Sequence, residues 1–413
     1  MFSDRTNWRL AQNRLTLALQ EARARGSKIL DLTVSNPTRV GLEYDSQTIL
    51  AALDSARALD YDPQAKGLPA AREAVAAYYR RDHGVHDLDA ERIVLTTSTS
   101  EGYSFVFRLL CNAGDELLVP KPSYPLFEFL ADLQDIRLAP YPLIYDHGWQ
   151  MDCPSLERAV TERTRGVVVV HPNNPTGSYV KAKEAEALGE FCRTRSLALI
   201  ADEVFLDYGL SDHPSVRNAV ELRSIGQPGA AVPTSSSRGA SFAANHDVLT
   251  FVLSGLSKVS ALPQMKVAWI VTSGPQDEVG AAMARLEVIA DTYLSMNAPV
   301  QWALPALLET RKEIQGQLIT RVRANLAELD RQLAGQKACQ RLEVEGGWYA
   351  VLRVPVTRSD EELAIELVRE KQVLMHPGHF YDFSSEGYLI LSLAAVEAEF
   401  REGVRRVLEF LGP

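Results

Sequence analysis

Short runs of Val, Leu and Ile recur along this chain of 413 residues, and helical patterns alternate with them. The runs lie at 92–97, 115–120, 166–171, 197–203, 247–254 and 267–273. Near-continuous apolar runs favour strands that are covered on both faces, and their alternation with helices predicts βαβ units. We therefore predict an α/β fold with a three-layer, mainly parallel sheet, in which ligands bind beyond the C-terminal ends of the strands.

Two segments differ from this alternation. Residues 211–246 are rich in Ser, Gly, Pro and Ala, and they predict a long loop between two strands. Residues 299–337 carry a strongly helical pattern, in which Pro305 is expected to introduce a kink. A helix of this length often links two domains, so we place a domain boundary at its start.

A smaller α+β unit is predicted from the C-terminal part of the chain. Short β-rich runs flank a helix that Ser359 opens as N-cap, with Glu362 three residues later. The N-terminal segment is expected to pack on this unit. We therefore predict a large domain over 41–298 and a small domain formed by 1–40 together with 299–413.

Composition and charge argue against several classes of partner. The chain has 53 acidic and 43 Lys and Arg residues, and a net charge of −10 does not favour binding to nucleic acid. No apolar run is long enough to span a membrane, and the charged N-terminal stretch does not resemble a secretory signal, so a cytoplasmic location is expected by default. The four cysteines are far apart, without metal-ligand spacing, and we expect reduced thiols and no metal site.

Polar residues follow two of the predicted strands. HPNNPTG, residues 171–177, offers the side-chain amides of Asn173 and Asn174, which both donate and accept hydrogen bonds. ADEVF places Asp202 at the end of a buried strand, where a carboxylate is costly unless a cation balances it. Simpler interpretations are a turn for the first motif and a helix N-cap for the second.

Hydroxyl residues open the helix that is predicted after the first strand. TTSTSEG, residues 96–102, contains Ser98, Thr99 and Ser100 at the start of this helix. Backbone N–H groups at a helix N-terminus, together with hydroxyl groups, suit a phosphate. The simpler interpretation is ordinary capping, because Ser and Thr are common N-cap residues.

Two lysines lie in SGLSKVSALPQMK, residues 254–266, among small and apolar neighbours. An apolar setting disfavours the ammonium form of a lysine, so that Lys258 or Lys266 becomes a nucleophile able to form an imine. A lysine, a strand-end carboxylate, an amide and a phosphate cradle at the strand ends of one sheet are what a pyridoxal 5′-phosphate site needs.

The sequence resembles the class I/II aminotransferases, which are fold-type I pyridoxal-phosphate enzymes. The motifs that carry the resemblance occur in the expected order over essentially the whole chain: LDLTVSNPT (30–38), YDPQAKGLPAARE (61–73), GDELLVPKPSYP (114–125), HPNNPTG, ADEVF, SGLSK and PGHF (377–380). The resemblance implies an aminotransferase that moves an amino group between an amino acid and a 2-oxo acid, working as a homodimer.

The resemblance also implies roles for individual residues. Lys258 would carry the cofactor as a Schiff base and shuttle a proton, Asp202 would pair with the pyridine nitrogen, and Asn174 would bond to the ring hydroxyl oxygen. The other cofactor-binding residues would be Ser98, Thr99, Ser100, Tyr124, Ser257 and Lys266, with Tyr61 reaching the phosphate in the neighbouring subunit. The substrate would contact Ser35, Asn36 and Arg353.

Three positions depart from the family pattern. Phe205 replaces a tyrosine that donates to the ring hydroxyl oxygen, and Lys266 replaces an arginine that binds phosphate with two parallel hydrogen bonds. Ile390 occupies the place of the arginine that binds the α-carboxylate of the substrate. Arg353 and Arg39 are candidate replacements, and His376 and His379 are candidate additional donors.

These departures keep two alternatives open. One is another pyridoxal-phosphate reaction on amino acids, such as a β-lyase, which would release ammonia and a 2-oxo acid without an amino acceptor. The other is a chain that keeps the fold but only binds a ligand. The joint presence of Lys258, Asp202 and Asn174 favours an enzyme over the second alternative.

Overall fold

A computed structural model describes residues 1–8, 10–210, 239–294 and 296–412. Most of the long loop predicted over 211–246 lies outside the described residues. The part that is described includes a short 3₁₀ turn at Phe242–Ala244, whose N-cap is Ser241.

The described residues form an eight-stranded sheet, a four-stranded sheet and one isolated strand pair. The strands are β1 Leu30–Asp31, β2 Ile93–Thr96, β3 Glu116–Lys121, β4 Arg137–Tyr145, β5 Trp149–Met151, β6 Thr164–Val170, β7 Ala198–Asp202, β8 Thr250–Gly255, β9 Ala268–Ser273, β10 Gln340–Arg341, β11 Tyr349–Arg353, β12 Val373–Leu374, β13 His376–Pro377 and β14 Tyr388–Ser392. The large sheet has the order β2-β9-β8-β7-β6-β3-β4-β5, in which β9 and β5 are antiparallel to their neighbours.

Helices cover both faces of the large sheet. The described helices are α1 Arg14–Ala24, α2 Ser46–Leu53, α3 Pro69–Asp82, α4 Thr99–Leu110, α5 Phe127–Leu133, α6 Cys153–Ala159, α7 Ala182–Arg195, α8 Leu256–Val259, α9 Gln276–Tyr293, α10 Ala298–Glu309, α11 Arg311–Leu333, α12 Asp360–Glu366 and α13 Glu397–Leu411. Along β2, Ile93 and Leu95 pack with α3 and α10, whereas Val94 packs with α4 and α9. Alternate residues of one strand thus enter two separate cores, which confirms the predicted three-layer α/β fold.

The four-stranded sheet is antiparallel, with the order β10-β11-β14-β13. The N-terminal part of the chain joins this region, because β1 pairs in parallel with β12. Helices α1, α11 and α13 contribute Leu15, Leu326 and Phe400 to the same core. The domain boundaries at residues 41 and 299 stay a prediction, and α10 at the second boundary packs into the core of the large sheet with α2 and α3.

Two elements differ from the sequence prediction. Strand β4 is not among the predicted runs, and it contains Pro140 and Pro142, a residue type that is rare inside sheets. Each proline nevertheless pairs with β3, opposite Val119 and Lys121. The long helix is divided into α10 and α11 at Thr310, five residues after Pro305.

No helix among the described residues combines the length and the apolar character that crossing a membrane requires.

Candidate active site

One edge of the large sheet collects the predicted site residues. Strands β6, β7, β8 and β2 run in the same direction, and β9 runs opposite to them. The register pairs Val170 with Asp202, Asp202 with Leu253, and both Gly255 and Thr96 with Ala268. The segments that follow β6, β7, β8 and β2, and the segment that precedes β9, therefore meet at this edge.

Lys258 lies in α8, directly after β8. Its Nζ atom is 4.9 Å from the centre of the Trp348 ring and 5.5 Å from that of Phe205. Burial lowers the pKa of Lys258 to about 8, while the nearby Asp202 carboxylate acts in the opposite direction. The amine therefore loses its proton closer to neutral pH than a surface lysine does, which is the property that a nucleophilic lysine needs.

Asp202 ends β7 and is buried. Its Oδ2 atom accepts a hydrogen bond of 3.0 Å from the Tyr103 hydroxyl, and its Oδ1 atom accepts one of 3.1 Å from the Val204 N–H. Burial raises the pKa of Asp202 to about 6, although these two hydrogen bonds and the charge of Lys258 lower it. The carboxylate is thus oriented by two donors.

Asn174 follows β6 and is buried, and its side-chain Oδ1 atom has no hydrogen-bond partner. A buried amide atom without a partner is unusual, because it loses its bonds to water without replacement. A polar ligand at this edge of the sheet would satisfy it. The residues present therefore fit the pyridoxal phosphate that the sequence resemblance implies.

The start of α4 has some of the features of a phosphate-binding site. Ser98 is the N-cap, and its hydroxyl accepts a hydrogen bond of 3.2 Å from the Glu101 N–H. The Glu101 carboxylate in turn accepts bonds from the N–H and the hydroxyl of Thr97. Thr99 and Ser100 occupy the first two helical positions, whose N–H groups point away from the helix and suit an anion.

Lys266 and Ser257 are the other residues predicted to bind the phosphate side of the cofactor. Lys266 precedes β9 by two residues, and the Thr96–Ala268 pairing brings its backbone near the start of α4. Its side chain is exposed and its backbone has φ of 54°. Ser257 is partly buried beside Lys258 in α8.

Three tyrosines, Tyr124, Tyr349 and Tyr381, lie close enough to one another to interact electrostatically. The ionisation of Tyr124 is disfavoured by burial and by the charges of Asp202 and Tyr349, and its pKa rises to about 12. Tyr349 is hydrogen-bonded to the predicted substrate residue Ser35. Tyr381 interacts electrostatically with both other tyrosines. The structure thus brings Ser35 and Tyr124 towards the Asp202 side of the site.

Three other predicted residues are not brought to this cluster within the described part of the chain. Tyr61 is 82% exposed. Asn36 is exposed, and its side chain caps the turn at Pro37–Arg39. Arg353 lies at the far end of β11, four residues or about 13 Å from Tyr349, and its guanidinium packs on Tyr145 and Tyr388.

Ile390 is 1% exposed and is paired across the small sheet with His376. Residues paired in this way project to the same face of a sheet. The Nδ1 atom of His376 is 3.1 Å from the Tyr381 hydroxyl, and burial lowers the pKa of His376. A neutral imidazole and a phenol therefore lie where the resemblance leads one to expect an arginine.

Some residues of the site were missed by the sequence analysis. Tyr103 holds Asp202, and Trp348 packs on Lys258 and is fully buried. The signal for Tyr103 is its position on the first turns of α4, on the helix that follows the hydroxyl motif. Trp348 follows Gly346 and Gly347, a pair that permits close packing of backbone, but nothing in the sequence connects it with Lys258.

Comparisons with known proteins also indicate an aminotransferase. The family model described as aminotransferase class I and II matches residues 27–407. The glutamate-pyruvate aminotransferase of Haemophilus influenzae is 25% identical over 395 residues, which cover 94% of this chain and 91% of that protein. An alanine aminotransferase of Mycobacterium tuberculosis is 26% identical, covering 94% and 86%. The structure of an alanine aminotransferase from Pyrococcus furiosus superposes with a TM-score of 0.86 at 21% identity, covering 100% of this chain and 99% of that one.

Proposed function

The chain belongs to the class I and II aminotransferases, and on that premise we propose how its residues move an amino group between an amino acid and a 2-oxo acid. The observation that carries the proposal is the position of Lys258. Its amine has a pKa lowered to about 8 and lies at the same strand edge as Asp202 and the unpaired amide oxygen of Asn174.

Pyridoxal phosphate is the cofactor we propose, because this family generally depends on it and because the residues fit it. When bound, it supplies an electron sink for the carbon that carries the amino group. Asp202 would hold the pyridine nitrogen, Asn174 would hold the ring hydroxyl oxygen, and Tyr124 would contact the ring. The phosphate would bind the start of α4 at Ser98, Thr99 and Ser100, with Ser257 and Lys266 nearby.

Lys258 is the proposed acid–base residue. With a pKa near 8, a useful fraction of its Nζ is unprotonated at neutral pH, so it can accept a proton from the substrate Cα and return it. The rings of Trp348 and Phe205 lie 4.9 and 5.5 Å from Nζ and shield the amine from water on that side. Exclusion of water keeps the proton on the reacting groups and strengthens the attraction to Asp202.

The substrate would bind on the tyrosine side of the site, near Ser35 and Tyr349. The relatives named alanine and glutamate-pyruvate aminotransferases make alanine, glutamate and pyruvate the first substrates to test. Ile390 supplies no charge for the substrate carboxylate, and His376 with Tyr381 are the hydrogen-bonding groups that face it. Asn36 and Arg353 stay predictions as substrate residues.

A homodimer is proposed on the evidence of an exposed surface. Leu59, Tyr61 and Leu294 are all more than 60% exposed, and Tyr61 and Leu294 line one cleft of about 300 Å³ with Gln301. Large apolar side chains grouped on a surface mark protein contacts more often than isolated ones do. In such a dimer, Tyr61 would reach the cofactor of the partner subunit.

The decisive test compares the two lysines of the 254–266 segment. Lys258→Ala is expected to abolish the visible absorbance of the lysine-bound cofactor and to lower kcat by about three orders of magnitude or more. Lys266→Ala is expected to keep the absorbance and to weaken only the affinity for the cofactor. Full turnover by Lys258→Ala would overturn the proposal.

The same assay separates transamination from elimination. With alanine as donor, the wild-type protein is expected to form pyruvate over many turnovers only when a 2-oxo acid acceptor is present, and at most one equivalent per site without it. A β-lyase needs a leaving group on the β-carbon, which alanine lacks, so elimination is tested with cysteine. Sustained release of ammonia, sulfide and pyruvate from cysteine without an acceptor would assign the β-lyase reaction instead.

A further inference from the structure

The backbone of the Lys258 segment is held by side chains from other parts of the chain. Three carbonyl oxygens of this segment each accept a hydrogen bond: Lys258 O from the Tyr208 hydroxyl at 2.6 Å, Val259 O from Gln315 Nε2 at 2.7 Å, and Ala261 O from the Tyr44 hydroxyl at 2.8 Å. Helix α8 has only four residues, so few of its carbonyls can be satisfied within it. The orientation of Lys258 is therefore set largely from outside α8.

Two of these donors connect Lys258 with the turn that carries Asp202. Tyr208 lies six residues after Asp202, in a turn closed by hydrogen bonds from Leu206 N to Glu203 O and from Tyr208 N to Phe205 O. The Nε2 atom of Gln315 donates both to Val259 O and, at 2.5 Å, to Asp207 Oδ2. Positions 207 and 208 are thus both fastened to the α8 backbone.

Asp207 is itself fixed in the core. Its Oδ1 atom is 3.1 Å from His83 Nε2, and its Oδ2 atom accepts a hydrogen bond of 3.1 Å from the Tyr78 hydroxyl. Tyr78 lies on α3, and His83 directly follows this helix. The rings of Tyr78 and His83 pack edge-on against each other. The hydrogen bonds to His83, Gln315 and Tyr78 keep the pKa of Asp207 below its usual range in spite of burial. The turn after Asp202 therefore has an anchor that does not depend on Lys258.

We infer that Tyr208 and Gln315 are positioning residues that set the distance and orientation of Lys258 relative to Asp202. This inference rests on the proposed roles of Lys258 and Asp202. Asp202 would fix one end of the cofactor ring and Lys258 the other, so the span between them decides whether the amine reaches the carbon it must attack. A displacement of about 1 Å at a reacting group costs on the order of 10²-fold in rate.

The test uses Tyr208→Phe with Tyr141→Phe as its matched control. Both hydroxyls are buried and donate to one backbone carbonyl, Tyr208 to Lys258 O at 2.6 Å and Tyr141 to Val168 O at 2.7 Å. Both variants should lose a similar amount of thermal stability. Only Tyr208→Phe should lower kcat, by about tenfold, with KM changed less than about twofold. The same variant should slow the binding of added pyridoxal phosphate to Lys258 by a similar factor. Absorbance measures this binding rate.

Gln315→Leu provides a second variant, with Gln332→Leu as control on the same helix. The Nε2 atom of Gln332 also makes two hydrogen bonds, to Glu328 Oε1 and to the Arg401 carbonyl, and Gln332 lies 17 residues (332 − 315) or about 26 Å further along α11. Gln315→Leu should shift the pH midpoint of the absorbance of the lysine-bound cofactor and lower kcat, whereas Gln332→Leu should change neither.

The outcomes separate this inference from the proposed function. If Tyr208→Phe and Tyr141→Phe have the same kcat and the same cofactor binding rate while Lys258→Ala is inactive, the positioning role is wrong and the function stands. If Lys258→Ala keeps full turnover, the proposed function fails first. A rate loss in Tyr208→Phe and Gln315→Leu that both controls lack supports positioning.

Discussion

Lys258 and Asp202 influence each other's ionisation, but burial dominates at both residues. Burial lowers the pKa of Lys258 to about 8 and raises that of Asp202 to about 6, while each charge favours the other. At pH values between about 6 and about 8 both groups are predominantly charged, so the positive charge of Lys258 offsets the negative charge of Asp202. A second cation near Asp202, such as a protonated pyridine nitrogen, would lower the pKa of the carboxyl further.

Replacing Asp202 should therefore change the acidity of Lys258. Asp202→Asn keeps the shape but removes the charge that raises the pKa of Lys258, so this pKa should fall below about 8 in the cofactor-free protein. It can be measured as the pH dependence of Lys258 modification by an amine-specific reagent, followed by peptide mass spectrometry. Tyr103→Phe, which removes a donor to Asp202 but keeps its charge, is the control. An unchanged or raised pKa in Asp202→Asn would contradict the electrostatic account.

At the level of elements, apolar runs located the strands well. The run predicted over 92–97 is a strand at Ile93–Thr96, and the run predicted over 267–273 is one at Ala268–Ser273. Local patterns cannot give strand direction, so the antiparallel course of β9 was not predicted. They also fail where sheet pairing overrides a local rule, as in β4 with its two prolines.

The residues of the candidate site likewise include some that the sequence could predict and some that it could not. Lys258, Asp202 and Asn174 directly follow strands, and strand ends are where ligands bind in such sheets, so sequence alone could select them. Trp348 packs on Lys258 from 90 residues further along the chain (348 − 258), and Gln315 bonds to the neighbouring Val259 carbonyl from 56 residues further along (315 − 259). Such contacts depend on tertiary packing, which no local motif encodes.

Helix α12 carries a testable electrostatic feature at its N-terminus. Asp360 Oδ1 accepts hydrogen bonds from Gly387 N and Tyr388 N, which tie the helix to β14. Burial and the nearby Glu386 raise the pKa of Asp360. A carboxyl whose pKa is raised on folding binds its proton more tightly in the folded state. Its contribution to stability is therefore present at low pH and is lost as pH rises through the raised pKa.

Asp360→Asn should remove this pH dependence, because an amide oxygen still accepts both hydrogen bonds but cannot ionise. We expect the free energy of unfolding of the wild type to fall relative to that of Asp360→Asn as the pH rises from acidic to neutral. Urea titrations at several pH values measure it. Ser359→Ala, which removes the N-cap bond to Glu362 N, should cost about 1 kcal/mol at every pH. Parallel pH profiles of the wild type and Asp360→Asn would refute the assignment.

For the whole molecule, the question is whether one chain contains a complete site. Lys258, Asp202 and Asn174 meet at one sheet edge, but Tyr61 lies on an exposed segment beside Leu294 and Gln301. If Tyr61 serves the partner subunit of a homodimer, each site takes Lys258 from one chain and Tyr61 from the other. A dimer of this kind has two equivalent sites, each formed by complementary parts of both subunits.

Mixing two inactive variants tests this arrangement. Lys258→Ala and Tyr61→Ala should each lose activity alone, since each homodimer lacks one component at both sites. In a hybrid dimer, one site carries both substitutions and the other carries neither. Unfolding and refolding a 1:1 mixture should therefore restore about a quarter of wild-type activity, because half of the dimers are hybrids and each has one intact site. Activity that stays at the level of the separate variants would place Tyr61 and Lys258 in the same chain's site or exclude Tyr61 from it.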